Sequence, residues 1–296
     1  MNQYKRLAAN TIIFAIGSFG SKILLLFLTK LYTANINPSD ISTKELLEQT
    51  ANFIIPIVTF SIADAILRYG LIRNYDKRKI LTSSYVILGL GMCVLLVCSP
   101  LLKLLPYTDG YLWLLIIYVF TSSLRSIHSQ FVRARGLVTL FAFDGILATL
   151  TLFVFNVIFI SMMHLGVTGF LLSVICSDLL SAIFLWWIAG LRKYVGRQYI
   201  SPKMTRLMIQ FSAPLIPTAL LWLVTGFSDR LFLRYMDGPA GLVGETAAGI
   251  YGVASKLPNL ISTVSNVFYQ AWNMSAILEN NSKTRSHFYK QVFSAY

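Results

Sequence analysis

Ser122, Arg125, Ser126, Ser129 and Arg133 stand at i, i+3, i+4, i+7 and i+11 along an otherwise apolar stretch. That spacing puts them on one helical face. The stretch, Tyr111 to Val132, is long and apolar enough to cross a bilayer, which takes about 20 mostly apolar residues. An ionisable group at such depth costs about 2.5 to 3.5 kcal/mol on insertion scales and should face protein or water rather than lipid. Two readings compete: a seam of interhelical hydrogen bonds, or one wall of an aqueous cavity. Arg125 favours the cavity. No carboxylate lies within a helical turn of it, so its partner must come from another helix, from water or from a substrate. His128 and Gln130 sit at the margins of the stripe.

Other charges fall at similar depth. Lys22 and Lys256 have no local partner, and each is a candidate to line the same cavity. Asp64 and Arg68 are four residues apart and can pair within one helix. Asp144 and Asp178 can neutralise cations from neighbouring spans. Asp178 keeps company with Ser173, Ser177 and Ser181, a row that reads as a close helix contact. Lys30 lies near a boundary, where its long stem can reach water.

The elements that carry these groups follow from composition. Of 296 residues, 56% are apolar and 12% charged, so the chain reads as an all-α, polytopic membrane protein. Apolar spans are expected near Ala8–Tyr32, Leu46–Gly70, Leu81–Leu102, Tyr111–Val132, Leu140–Met163, Gly169–Gly190, Ile209–Leu233 and Ala248–Ile277, about eight complete helices, with a ninth starting around Ser286. The net charge of +13 is distributed as a topology signal rather than a nucleic-acid patch. Arg73, Lys77, Arg78 and Lys79 follow the second span, and Arg192, Lys193, Arg197, Lys203 and Arg206 follow the sixth, whereas Lys44, Lys103 and Arg234 are nearly all that the intervening loops hold. The positive-inside rule then places the N-terminus in the cytoplasm. Lys5 and Arg6 precede a first run too long for a cleaved signal, which reads as an uncleaved anchor.

No enzyme chemistry is legible. Cys93, Cys98 and Cys176 fall inside spans and read as small apolar fillers. His128, His164 and His287 are too far apart for a metal motif. The sequence shows no nucleophile elbow, phosphate loop or zinc signature, so neither a cofactor nor a metal is expected. Gly89-Leu90-Gly91 reads as a site of close helix packing. A faint internal repeat relates Ser18-Phe19-Gly20-Ser21-Lys22 to Gly226-Phe227-Ser228-Asp229-Arg230 and predicts that Lys22 and Arg230 occupy equivalent places in two lobes, residues 1–198 and an incomplete 199–296.

These residues resemble the bacterial polysaccharide export flippases, lipid-linked oligosaccharide (O-antigen) translocases of the multidrug/oligosaccharidyl-lipid/polysaccharide exporter superfamily. The resemblance runs along the chain. It rests on Gly17 to Leu28, Pro56 to Tyr69, Gln130-Phe131-Val132-Arg133-Ala134, Pro214-Leu215-Ile216-Pro217, Ser228-Asp229-Arg230, Gly249-Ile250-Tyr251 leading to Lys256-Leu257-Pro258, and Gln270-Ala271-Trp272. It implies two six-helix bundles around a central cavity, often fourteen helices in all. It also implies alternating access at the cytoplasmic membrane, with a polyprenyl-pyrophosphate-linked oligosaccharide as substrate.

On that view Arg125, Lys22, Arg230, Lys256 and Arg68, with Ser122 and Ser129, form a cationic substrate site, and Asp64, Asp144 or Asp178 couples transport to an ion. Membrane lipids, a polysaccharide polymerase and chain-length proteins are the implied partners, and Pro56, Pro214, Pro217 and Pro258 are candidate bend points. A cation-coupled multidrug antiporter of the same superfamily and a non-transporting scaffold are the alternatives. Family members have more spans, and residues 286–296 would reach only about 16 Å as a helix, so the chain reads as a fragment or a truncated frame.

Overall fold

The computed structural model describes residues 24, 27–72, 74–236 and 244–255, together with 262, 269, 272, 273 and 290. Every regular element among them is helical. In chain order these are α1 (27–35), α2 (Pro38–Thr59), α3 (Ile62–Leu71), α4 (Lys77–Leu102), α5 (Leu112–Ala134), α6 (Val138–Asn156), α7 (Gly166–Ile188), α8 (Pro202–Ser212), α9 (Leu215–Tyr235) and α10 (Glu245–Ala254). A π-helical turn, Val157–Met162, prolongs α6.

Among the described residues, four helices have the length and hydropathy to cross a membrane: α4, α5, α6 with its π turn, and α7. The α2–α3 pair reaches the same length and hydropathy when its two helices, bent by 52° at their break, are taken together. The third to sixth expected spans thus reappear within a few residues. The expected repeat partner Lys22, the cavity candidate Lys256, and Pro258 lie outside the described residues.

The second span differs from expectation in two ways. It begins at Pro38 rather than Leu46, because Pro38 occupies the first helical turn, where a missing N–H costs nothing. Lys44, assigned to a loop by its charge, is therefore inside the helix and buried. The break also comes after Pro56 rather than at it. Phe60 and Ser61 both adopt left-handed backbone, and the Ser61 N–H closes the turn onto the Pro56 carbonyl at 2.9 Å.

α4 meets this bend. A Cβ on Gly91 would lie 1.8 Å from the Val58 carbonyl oxygen, so only glycine lets the two backbones approach. Gly89 has open space around it; of the expected glycine pair, one member makes the contact. The face of α4 that carries Leu90, Val94, Val97 and Leu101 is exposed, as a lipid-facing stripe should be. Cys93 and Cys98 are exposed on the same helix rather than filling the core.

α5 is the central helix and packs most extensively on α7 and α3. Beyond α7, Gly190 takes φ +61° and turns the chain into a connector that Arg135 holds by donating to the Ala189 carbonyl at 2.5 Å. The seventh expected span is split at Ala213-Pro214 into α8 and α9. α9 and α10 pack back onto α2, which closes the space described next.

Candidate functional site

A cavity of about 640 Å³ opens between α1, α2, α5, α6, α7 and α9. The α5 stripe forms one wall: Ser122, Arg125, Ser126 and Ser129 all line it, with Gln130 beside them. Arg133, the last member, turns away. It is buried, stands 5.4 Å over the Phe141 ring and donates to Gln130 at 3.4 Å.

Arg125 finds its partners on facing helices. Its Nη1 donates to Asp178 Oδ1 at 3.0 Å and its Nε to Ser181 Oγ at 3.1 Å, both on α7. Ser122 donates to the other Asp178 oxygen. Ser181 in turn donates to Asp144 Oδ1, while Asp144 Oδ2 is 3.9 Å from Arg125 Nε. Asp144 is 1% exposed, and its Oδ2 has no hydrogen-bond partner among the described residues. Three helices thereby share one charge-assisted network. The serine row of α7 mostly serves packing, since Ser173 and Ser181 are fully buried and Ser177 donates to the Ala148 carbonyl at 2.7 Å.

The opposite wall holds a second network that hydropathy alone does not reveal. Lys44 is 2% exposed. Its ammonium donates to Glu45 at 2.9 Å and to Glu48 at 2.8 Å, and lies 4.3 Å over the Phe170 ring and 4.9 Å over that of Tyr32. Arg230 of α9 reaches across to Glu45 as an ion pair of 3.1 Å. One turn on, Arg234 pairs with Glu245 at 2.6 Å and donates to Ser42 at 3.0 Å. Tyr32 donates to the buried Asn156 at 3.0 Å, where α6 passes into its π turn. The clue available in sequence was the i, i+4 spacing of Lys44 and Glu48, which lets the two charges satisfy each other within a helix.

The expected site residues separate accordingly. Arg125, Ser122, Ser129, Asp178 and Arg230 line the cavity, and Asp144 lies directly behind Arg125. Arg68 does not line it: its guanidinium lies 4.3 Å over the Phe211 ring. Nor does the intrahelical pair with Asp64 form among the described ion pairs, because Asp64 interacts electrostatically with Arg133 of α5 while Arg68 follows Phe211 on α8. Lys22 and Lys256 fall outside the described residues. The described charges on the wall are mixed rather than cationic, since Lys44, Arg125 and Arg230 face Glu45, Glu48 and Asp178. His128 points away from the cavity toward Tyr85 and the Ala182 carbonyl.

The polysaccharide biosynthesis protein family matches residues 7–273. The chain belongs to that family. No curated protein matches it. Its fold is that of MATE and other MOP-superfamily transporters. It is similar to a MATE crystal structure in the straight conformation, at 17% identity and a TM-score of 0.70, over 93% of this chain and 65% of that one. It is also similar to the Vibrio cholerae MATE transporter VcmN, at 16% identity and a TM-score of 0.66, over 99% of this chain and 69% of that one. A third structure is a MOP superfamily transporter from Pyrococcus furiosus described as having reverse polarity of its binding pocket, with 15% identity, a TM-score of 0.67, and coverage of 94% and 67%. The chain spans about two thirds of the length of such structures. This member of the polysaccharide biosynthesis family is thus a multi-pass membrane protein built on the MATE-like helical fold.

Proposed function

We propose that this protein moves a polyprenyl-pyrophosphate-linked oligosaccharide from the inner to the outer leaflet of the bacterial cytoplasmic membrane, using the cavity in alternating access. The observation that carries the proposal is Arg125, a guanidinium 30% exposed on a polar cavity wall at membrane depth and held in place by Asp178 and Ser181. A guanidinium so fixed offers its fork to a phosphate without first losing side-chain freedom. The hydroxyl and amide groups of Ser126, Ser129, Gln130 and Gln49 suit a sugar, and apolar flanks leave the polyprenyl tail in lipid. The cavity volume falls in the range of small-molecule sites, about 300–1,000 Å³.

The mixed charge refines the site hypothesis. Phosphate arriving at Arg125 or Arg230 competes with Asp178 or Glu45, so binding and ion-pair exchange are one event. Among the aspartates proposed for ion coupling, Asp144 is the best placed. It is buried, has one oxygen without a hydrogen bond among the described residues, and lies 3.9 Å from Arg125, so that any movement of the guanidinium changes the field at its carboxylate. Asp64 lies away from the cavity wall.

The test is complementation of a bacterial strain whose surface polysaccharide export has been disabled. Restored surface polysaccharide with the wild-type gene, and none with Arg125→Ala at equal membrane abundance, is the expected result. Full restoration by Arg125→Ala would remove Arg125 from the mechanism. The multidrug antiporter remains the second reading, because Glu45, Glu48 and Asp178 on the wall could hold a cation. Efflux of a cationic dye from cells making the protein would favour it.

A further inference from the structure

A second concavity lies on the outside of the molecule, away from the central cavity. It has a volume of about 450 Å³ and is lined by Val86 of α4 and by Ile200, Pro202, Thr205, Arg206, Ile209 and Gln210 at and along α8. Two helices make its walls. Val86 is the lining residue from α4, two turns on from Arg78 and one from Thr82, and Pro202, Thr205 and Ile209 stand at i, i+3 and i+7 on α8.

Arg78 and Thr82 fasten the connector whose Ile200 contributes to the crevice. Arg78 donates to the Tyr199 hydroxyl at 3.0 Å and lies 5.2 Å over its ring, and Thr82 donates to the Tyr194 carbonyl at 3.2 Å. Val86 lies about 12 Å deeper along α4 at 1.5 Å per residue. The crevice is lined mainly by apolar side chains, with Arg206 the basic residue among them.

α8 has the character of an interfacial helix. Met204, Met208 and Ser212 are buried against the bundle, while Lys203, Arg206 and Gln210 are exposed. Arg206 forms no ion pair among the described residues. Arg192, Lys193 and Arg197 on the connector and Lys79 on α4 are exposed as well. A largely apolar crevice with the exposed Arg206 on its wall is complementary to a molecule that joins an acyl chain to a negative headgroup.

We propose that this crevice is a binding site for an anionic phospholipid, with an acyl chain between Val86 and Ile209 and the phosphate beside Arg206. Charge complementarity selects this occupant over a zwitterionic lipid, because basic pockets between helices near the membrane surface recognise anionic headgroups. The site stands apart from the central cavity, and its test does not depend on what the protein transports.

Native mass spectrometry of the purified protein, equilibrated with micelles containing equal amounts of phosphatidylglycerol and phosphatidylcholine, reads the site directly. The wild type is expected to retain phosphatidylglycerol preferentially. Arg206→Ala should lower that preference about fivefold, the equivalent of about 1 kcal/mol per surface cation. Val86→Trp should exclude both lipids by filling the slot, and Lys103→Ala, at the far end of α4, should change nothing. Each variant is compared with wild type by thermal unfolding, and for any that unfolds early the pair Ile209→Phe and Arg206→Gln replaces it. Equal retention of the two lipids by the wild type, or wild-type preference in Arg206→Ala, overturns the proposal. Wild-type retention in Val86→Trp overturns it too, since a headgroup alone would then be what is recognised.

Discussion

Replacing Lys44 by Met tests whether the buried charges of α2 hold this protein together. The ammonium is 2% exposed, bonds two carboxylates within 3 Å and lies between the Tyr32 and Phe170 rings. Met keeps most of the apolar stem but removes the charge. Glu45, 5% exposed, then loses its lysine and keeps its ion pair with Arg230, and Glu48 turns toward the cavity, to which it is already 34% exposed. Removing one partner of a buried ion pair costs about 3–5 kcal/mol. The partial exposure of Glu48 argues for the lower end, about 3 kcal/mol, because water compensates part of its charge. At roughly 2–4 °C per kcal/mol, thermal unfolding of the purified protein in detergent should fall by about 6–12 °C. Lys44→Met combined with Glu48→Gln leaves one carboxylate for one guanidinium and should recover at least half of that loss. A Lys44→Met protein that unfolds within 2 °C of wild type (, about 1 kcal/mol or less) would refute the reasoning, as would a double variant less stable than the single one.

Further outcomes follow from the same contacts. Gly91→Ala should destabilise by about 1–3 kcal/mol, because its Cβ would press on the Val58 backbone oxygen, while Gly89→Ala should be neutral in the same melt. A double-mutant cycle between Glu45→Gln and Arg230→Gln should show a coupling of about 1–3 kcal/mol, and additivity would mean that the 3.1 Å ion pair contributes nothing. Arg68→Ala should lose only about 0.5–1 kcal/mol of ring stacking on Phe211 and leave export intact; a transport defect would put Arg68 back into the site.

The spans α4 to α7 were legible because each is a long apolar run in which charges are few, with Arg125 inside α5, Asp144 inside α6 and Asp178 inside α7. Their boundaries slipped where charge lay inside a helix. Lys77 and Lys79 belong to the first turn of α4, which Asp76 caps by accepting from the Arg78 N–H at 2.9 Å. The same habit of reading charge as loop left Lys44 and Glu45 outside the expected second span, which begins at Leu46; the cost of burying them is offset only when their contacts with Glu48, Arg230 and the aromatic rings are seen together. The α5 stripe was readable from spacing, since five hydroxyl and guanidinium side chains on one face of an apolar helix need a polar neighbour. Which neighbour was not readable, for Asp178 and Asp144 are brought to Arg125 by helix packing rather than by sequence distance. The Asp64–Arg68 spacing suggested a pair that tertiary contacts override, with Phe211 and Arg133 each claiming one member. Pro214 marked a break where the helix does break, whereas the bend near Pro56 falls at Phe60 and Ser61, residues whose left-handed backbone no local propensity signals.

The most direct measurement is of lipid movement itself. Proteoliposomes carrying a fluorescent polyprenyl-pyrophosphate-linked oligosaccharide are treated with an impermeant quencher, and the protected fraction is followed over time. Wild-type protein should expose the inner-leaflet pool to the quencher, and Arg125→Ala, matched for incorporation and unfolding temperature, should leave it protected as in protein-free vesicles. Equal exposure with both proteins, or none with wild type while a cationic dye is exported, would contradict the account.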